Sequence, residues 1–216
     1  MGKKKARAIP KYACPFSTKK QVIAESESYG RLDEKNEITE DDCLKGGRYL
    51  LQSKNLRENL QVVFRWKLQA FRKRLSWVDR FPDGAINEHI CHALGPARSL
   101  SAQSSDADIR YAINVLTCLP TVGIPVASAF LMAMHPKDFT IIDRQAYKAL
   151  KAKFREPMHP DEYVAYVRFC RSRSDDLGVT LRDYDRALWN CGKINKRTKT
   201  ANHTANCGNR SASVSS

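Results

Sequence analysis

Leu119-Pro-Thr-Val-Gly-Ile-Pro-Val-Ala-Ser-Ala-Phe-Leu131 predicts a tight turn followed by an apolar helix. Gly123 can adopt backbone conformations that a side chain would forbid, and it leaves room for another backbone or a phosphate. Pro125 suits the first turn of a helix, where no N–H group is needed. The N–H groups of the turn and of the first helical residues are then free to hold a phosphate, helped by the helix dipole. The candidate phosphate-binding positions are Thr121, Val122, Gly123 and Ile124.

A second helix is predicted just before this turn. Ser105 and Asp108 have the spacing of a capping box, which marks a helix N-terminus. Apolar residues then recur at helical spacing at Ile109, Ala112, Ile113, Leu116 and Leu119. The same periodicity puts Cys118 on the buried side of this helix. After the second helix, Phe139-Thr-Ile-Ile-Asp143 predicts a short loop that ends in one carboxylate.

The pattern Leu-Pro-x-Val-Gly at residues 119–123 resembles the hairpin of the helix-hairpin-helix DNA glycosylase superfamily, which has the endonuclease III-like fold. Asp143 lies 18 positions after Pro125, about the interval between the hairpin and the invariant Asp of that family. The resemblance implies that the hairpin binds DNA. It also implies that Asp143 stabilises the positive charge that develops on the sugar as a base departs. Lys148 matches a basic position of the family pattern and is a further candidate for DNA binding.

The chain departs from the family in two places, which points to a divergent branch. Bifunctional members carry a nucleophilic Lys where this chain has Pro125, so Schiff-base chemistry from that position is excluded and a monofunctional DNA N-glycosylase of base-excision repair remains. The last third has Cys170, Cys191 and Cys207 but no C-x-x-C, so no iron–sulfur cluster, metal or other cofactor is expected. Asp143 also reads as an ordinary helix N-cap. The alternative is therefore a non-catalytic helical interaction module that kept the scaffold and binds a protein or nucleic-acid partner.

The charge distribution is uneven along the chain. The sequence has 37 Lys and Arg against 23 Asp and Glu, a net charge of +14. Residues 1–20 contain seven basic and no acidic residues, and residues 191–216 contain five and none, which leaves 25 basic against 23 acidic residues between them. Basic tails bind nucleic acid without sequence preference, but solubilising, ribosome-associated or disordered ends have the same composition, so charge alone does not decide for DNA. The nearly neutral centre, together with Pro125, is the reason for the alternative of an interaction module, since a groove that binds DNA should concentrate positive charge on the domain itself.

The predicted fold class is all-α, with one helical domain over residues 39–190. A basic and mostly flexible arm (1–38) precedes it, with a short helix near residues 20–26, and a disordered basic tail (191–216) follows it. Thr39 and Asp42 form a second capping-box pattern at the start of the domain. Gly46-Gly47 is expected to interrupt the first helix and Gly95-Pro96 to end a later one. A long helix is predicted from about Ser53, since residues recur on one face at steps of three and four: Leu56, Leu60, Val63, Phe64, Lys67, Leu68, Phe71 and Leu75. Its other face is basic and carries Arg65, Arg72, Lys73 and Arg74, interleaved with Trp66 and Phe71.

Other function classes are disfavoured by the sequence. No apolar run approaches the ~18 residues that span a bilayer, and Met-Gly-Lys-Lys-Lys is not followed by a secretory h-region, so a cytoplasmic protein is expected. There is no P-loop, dinucleotide-binding or nucleophile-elbow motif. His89 and His92 have chelating spacing but no third ligand. The polar group before the chain's last apolar helix residues has two interpretations, a buried Asp–Arg pair that holds the last helix or an active-site cluster. Its members are Asp183, Asp185 and Arg186.

Overall fold

The computed structural model describes residues 9–68 and 82–193, and over these residues it is all-α, as predicted. Nine helices and no strand are present in this part of the chain. The ninth helix, α9, is described over residues 181–193. The others are Lys19–Asp33 (α1), Glu40–Leu51 (α2), Leu56–Leu68 (α3), Asp83–Arg98 (α4), Asp106–Leu116 (α5), Ile124–Met134 (α6), Arg144–Ala149 (α7) and Pro160–Leu177 (α8).

Polar side chains fix the starts of several helices, as the sequence predicts. The Thr39–Asp42 and Ser105–Asp108 capping boxes are both formed, at α2 and α5. Each satisfies N–H groups that have no partner inside the helix. Asp143 is the N-cap of α7, and Pro125 lies in the first turn of α6. The local signals in the sequence therefore place the starts of these helices correctly.

Helix α6 is the centre of the core. All of its residues except Pro125 are buried, and α2, α3, α5 and α8 pack around it. The prediction that Gly46-Gly47 interrupts a helix is wrong, since α2 continues through both glycines to Leu51. A Cβ atom at Gly47 would lie 2.1 Å from the carbonyl oxygen of Ala133. The glycine is there because two helix backbones touch, which is a tertiary contact.

The predicted flexible arm is also wrong for residues 9–38. Helix α1 is longer than expected, and Val22 and Tyr29 on it are buried in the core. Before it, the N–H of Ala13 donates to the carbonyl oxygen of Leu150 at 3.0 Å, and the Tyr12 hydroxyl lies 3.0 Å from that of Tyr147. A few widely spaced aromatic and apolar residues attach this segment to the domain although its composition is polar. Residues 1–8 lie outside the described chain.

Two further expectations concern α3 and α4. The basic face of the long helix falls mostly on residues 69–81, outside the described part, and its described aromatic residue, Trp66, is buried. Helix α4 does not end at Gly95-Pro96 but runs to Arg98. Ala93, Leu94 and Ala97 are buried around this point. Packing of this face outweighs the poor helix propensity of Gly and Pro.

The α5–α6 turn, residues 117–123, joins two packed helices as predicted, but its backbone differs from the expectation. Gly123 has φ −88°, a value open to any residue, whereas Thr121 has φ 64°. The left-handed conformation therefore falls on a β-branched residue, where it is uncommon.

None of the helices in the described residues is long and apolar enough to cross a membrane.

Candidate functional site

The loop that precedes Asp143 is held by polar side chains from three helices. The Tyr163 hydroxyl donates to the carbonyl oxygen of Thr140 at 3.1 Å, and the Tyr166 hydroxyl donates to that of Ile141 at 3.2 Å. The Ile141 N–H donates to Asp185 Oδ2 and the Ile142 N–H to the Ser128 hydroxyl, both at 3.2 Å. Buried backbone groups without partners are costly, so these bonds fix the path of the loop. The backbone of residues 140–142, directly before Asp143, is therefore fixed.

Both oxygens of the Asp143 carboxylate have partners in the protein. Oδ1 accepts the N–H groups of Gln145 at 2.8 Å and Ala146 at 2.9 Å, as an N-cap does. Oδ2 lies 3.3 Å from Lys67 Nζ. The side chain nevertheless remains 17% exposed and lines a cleft. Asp143 is thus a structural cap and an accessible carboxylate at the same time.

This cleft has a volume of about 550 Å³, within the range of small-molecule sites. It lies between α1, the end of α3, the loop before α7, and α9. Its walls combine three aromatic rings with charged groups of both signs, and they include Tyr29, Leu32, Asp33, Asn36, Trp66, Lys67, Leu68, Ile141, Asp143, Gln145, Arg182, Asp185, Arg186, Trp189 and Lys193. The cleft could hold a planar polar molecule with an anionic group.

Lys67 is a residue of this site that the sequence analysis did not single out. It follows Val63 and Phe64 on the face of α3 that packs into the protein, and its side chain is only 14% exposed. The available signal was its register, because the periodic positions of α3 are otherwise apolar. A lysine on such a face must reach a buried partner or a cavity. Here it reaches both, Asp143 and the cleft.

Aromatic rings and cations alternate along one wall. The Arg182 guanidinium lies 5.8 Å from the ring centroids of Tyr29 and of Trp66. Lys193 Nζ lies 4.5 Å from the Trp189 ring centroid. Trp189 is half-buried, whereas Tyr29 and Trp66 are buried. Trp189 is therefore the least buried of the three rings, with Lys193 over it and the Tyr29 ring in a T-shaped contact at a centroid distance of 5.3 Å.

Glu40 binds the two arginines of the cleft wall, Arg182 and Arg186. It is buried and accepts hydrogen bonds from Arg182 Nε at 2.8 Å and from Arg186 Nε at 3.0 Å. Burial raises the pKa of Glu40, but the charges and hydrogen bonds of the two guanidinium groups outweigh it and lower the pKa from 4.5 to about 2. The two arginines are thereby fixed in position relative to the cleft.

Asp185 completes this network and contacts the Asp143 loop. Its Oδ2 accepts a hydrogen bond from Arg182 as well as the one from the Ile141 N–H. Burial raises the pKa of Asp185, against the opposing effects of Arg182 and of the Ile141 N–H. A buried Asp–Arg pair is present at the last helix, but it joins Asp185 to Arg182, which the sequence analysis did not name. Arg186, which it did name, pairs with Glu40 and lies 3.8 Å from the half-buried Asp183. Asp185 and Arg186 line the cleft, whereas Asp183 does not.

The predicted hairpin residues lie apart from this cleft, since residues 121–124 are not among its lining. Thr121 and Gly123 are exposed, but the side chains of Val122 and Ile124 are buried in the core. In the described chain, the N–H groups of Gly123 and Ile124 donate no hydrogen bond. Of the four predicted positions, only Thr121 and Gly123 are therefore exposed.

The Lys148 ammonium, a predicted DNA contact, has a protein partner in this structure. Its Nζ donates to the carbonyl oxygen of Gly192 at 2.8 Å, near the end of α9. A Cβ atom at Gly192 would lie 2.0 Å from the carbonyl oxygen of Gln145, so α7 and α9 are in backbone contact. The Lys148 side chain joins these two helices, a role that a linear pattern does not reveal.

Two remaining expectations, for Cys118 and for the His89–His92 pair, can be compared with the described residues. Cys118 is exposed rather than buried, because α5 ends at Leu116 and the chain turns there. His89 and His92 are exposed, and no group of three His, Cys, Asp or Glu residues in the described chain has the geometry of a metal site. His135 lies 2.9 Å from the carbonyl oxygen of Ala97 through Nε2, and His159 caps α8.

No protein-family model matches this chain, and comparison with curated proteins and with solved structures finds no match either.

Proposed function

We propose that this chain is a DNA-binding protein of glycosylase-like fold, and that it is a monofunctional DNA N-glycosylase that acts in base-excision repair. The observation that supports this most is the position of Asp143. Its carboxylate ends a loop held by four side-chain hydrogen bonds, yet it lies on the wall of a 550 Å³ cleft. A purely structural carboxylate does not require such a cavity beside it.

In this proposal the cleft receives a nucleotide that has rotated out of the duplex. An enzyme that acts on a base must take it out of the stack, and aromatic rings then replace the lost stacking. Trp189 is the half-buried ring of the cleft, and Lys193, which lies over this ring, would move aside for a base to stack there. Arg186 and Lys193 are cations at the same wall, suited to the phosphates on either side of the nucleotide.

The chemical role proposed for Asp143 is electrostatic. As the bond between base and sugar lengthens, positive charge develops on the sugar ring, and a fixed carboxylate beside it lowers the barrier. The cap hydrogen bonds to Oδ1 and the contact of Oδ2 with Lys67 hold the carboxylate in place. The same carboxylate can orient the water that attacks the sugar.

Base release from a panel of lesion-containing duplexes tests this role. Asp143→Asn removes the charge but keeps a good N-cap residue, so the fold should survive. Asp175→Asn removes a charge from an exposed position on α8 and is the matched control. We expect release by wild type and by Asp175→Asn, and none by Asp143→Asn. Equal release by all three proteins, or none from any lesion by wild type, would contradict the enzymatic proposal.

DNA contact at the α5–α6 turn is tested separately. A Cβ atom at Gly123 would meet only Pro125 Cδ, at 3.7 Å, so Gly123→Glu should fold. The new carboxylate would repel a phosphate at the exposed turn. Gly84→Glu adds the same charge where a Cβ atom meets nothing within 4 Å. We expect a weaker duplex affinity for Gly123→Glu than for Gly84→Glu, measured by fluorescence anisotropy at one fixed salt concentration. Equal affinities would exclude the turn as a contact.

The second candidate is the non-catalytic interaction module, and one observation favours it. Both oxygens of Asp143 already have protein partners, which gives the carboxylate a structural role without any substrate. For this candidate, wild type releases no base, and the two glycine variants bind duplex DNA equally.

A further inference from the structure

The positive charge between the two tails is concentrated in one short segment that begins directly after Asp143. Residues 144–155 contain five Lys and Arg and no Asp or Glu. Without them, residues 21–190 have 20 basic against 23 acidic residues, so the rest of this region is slightly acidic. The segment consists of α7 and the turn and loop that follow it. Four of its cations are exposed and are called the basic edge: Arg144, Lys151, Lys153 and Arg155.

The side chains of the basic edge lie on one surface. After α7 the burial alternates, since Ala152 and Phe154 pack against the core and the cations around them are exposed. Alternate residues of an extended chain face the same side and are about 7 Å apart. The Arg144 guanidinium lies 5.6 Å from the centroid of the Phe154 ring. This contact joins the start of α7 to the loop after it, and the four cations share one face of the protein.

The basic edge differs from the neighbouring surface in its ion pairs. On α8 the exposed Arg168 pairs with Asp106 at 2.8 Å. Arg173 on the same helix pairs with Asp176, also at 2.8 Å. Within the described residues no cation of the basic edge has such a partner. A row of like charges repels itself, and an unpaired basic row is the electrostatic footprint of a polyanionic partner.

Lys151 occupies a backbone position that disfavours lysine. Its φ is 54°, the left-handed conformation that ends many helices and that glycine usually adopts. Its N–H donates to the carbonyl oxygen of Lys148 at 3.1 Å, and the N–H of Ala152 donates to that of Tyr147 at 2.9 Å. This pair of bonds is the Schellman motif. Because a Cβ atom is unfavourable in this conformation, the fold alone would favour glycine here. The lysine side chain therefore has a use outside the fold.

We propose that the basic edge binds the phosphate backbone of duplex DNA next to the cleft. The proposal rests on the proposed function only in that the partner is DNA, and it does not require removal of a base. Asp143 and Gln145, on either side of Arg144, line the cleft. The basic edge thus holds the strand where it leaves the cleft. Contacts of this kind fix the position of the duplex and carry no sequence preference.

The experiment measures the affinity of the full chain for a duplex without lesions, by fluorescence anisotropy over a series of salt concentrations. Each cation that meets a phosphate contributes about −0.9 to the slope of log affinity against log salt. Lys151→Gly removes one cation and should be at least as stable as wild type, because glycine favours the left-handed conformation. We expect its slope to be shallower by about 0.9 and its affinity at about 0.1 M salt to be about eightfold lower.

A double variant extends the test without any change at Lys151. Lys153→Gln with Arg155→Gln removes two exposed cations, and we expect the slope to be shallower by about 1.8. Lys45→Gln with Arg48→Gln is the matched control, since it removes one exposed lysine and one exposed arginine from α2, which packs against α3 and α6. The control should keep the wild-type slope. Both tails are present in every protein, so their contribution is the same throughout.

The outcomes separate this proposal from the proposed function. Equal slopes for wild type and the basic-edge variants, or an equal change in the α2 control, overturn the proposal. Base release by wild type together with equal slopes overturns it while the glycosylase function stands. A shallower slope for the basic-edge variants without base release from any lesion supports it and contradicts the glycosylase function. If these variants instead lose binding to vesicles of phosphatidylserine and phosphatidylcholine at unchanged duplex affinity, the edge binds a membrane surface and the proposal is overturned.

Discussion

Replacement of Glu40 by glutamine should lower stability by an amount that depends strongly on pH. Glu40 is 3% exposed, and its pKa is lowered from 4.5 to about 2 by Arg182 and Arg186. A carboxylate whose pKa is lower in the folded state stabilises the protein above its unfolded pKa, and this contribution is lost as the pH falls toward the folded value. The difference of about 2.5 pKa units corresponds to about 3 kcal/mol at pH 7, of which about 1 kcal/mol remains at pH 3.

Urea unfolding of wild type and Glu40→Gln at pH 7 and pH 3 measures this difference. We expect Glu40→Gln to be less stable by about 3 kcal/mol at pH 7, with the gap reduced by about 2 kcal/mol at pH 3. Asp185, whose pKa is raised by burial, has the opposite pH dependence but is present in both proteins. Glu27→Gln, at an exposed position of α1, is the control and should change little. A gap that is the same at both pH values would refute the assigned role of the Glu40 charge.

Three further measurements test other parts of the structure. Gly47→Ala should lower the free energy of unfolding by about 1–3 kcal/mol, because the new Cβ overpacks against α6, whereas Gly46→Ala, whose nearest Cβ neighbours are at 3.4 Å, should be neutral or stabilising. Urea unfolding compares the two variants, and equal effects would contradict the α2–α6 contact. In the folded protein Cys118 should react with a thiol reagent well before Cys43, because Cys118 is exposed and burial raises the pKa of the Cys43 thiol. Mass spectrometry at short reaction times shows the order, and early modification of Cys43 would contradict its burial. Lys148→Gln should lower the free energy of unfolding in urea by about 1 kcal/mol, because it loses the hydrogen bond to Gly192 of α9, and it should leave duplex affinity unchanged. Weaker duplex binding at full stability would instead support its predicted role as a DNA contact.

Local sequence signals predicted much of the secondary structure. The capping boxes at Thr39 and Ser105 and the cap at Asp143 are formed in the structure, because such side chains satisfy N–H groups within three residues of themselves. Only neighbours along the chain are needed for these contacts. They are therefore readable from a single sequence.

Glycine and composition were less reliable guides. Gly47 indicated a helix break from its sequence but is a contact point between two helix backbones. Residues 9–38 indicated a flexible arm, yet Val22 on α1 is buried in the core. In both cases the deciding atoms come from residues far along the chain, and no local pattern contains them.

The candidate site divides along the same line. The sequence alone determined an all-α chain, the helix starts and the single carboxylate at Asp143, since these depend on periodicity and on capping within a few residues. The pairing of Lys67 with Asp143 and of Glu40 with Arg182 was decided only by tertiary structure. Those partners are 76 and 142 residues apart, and their charges meet because the folded chain brings α3 to the Asp143 loop and α2 to α9. Charge pairing has no sequence period, so only the folded chain reveals it.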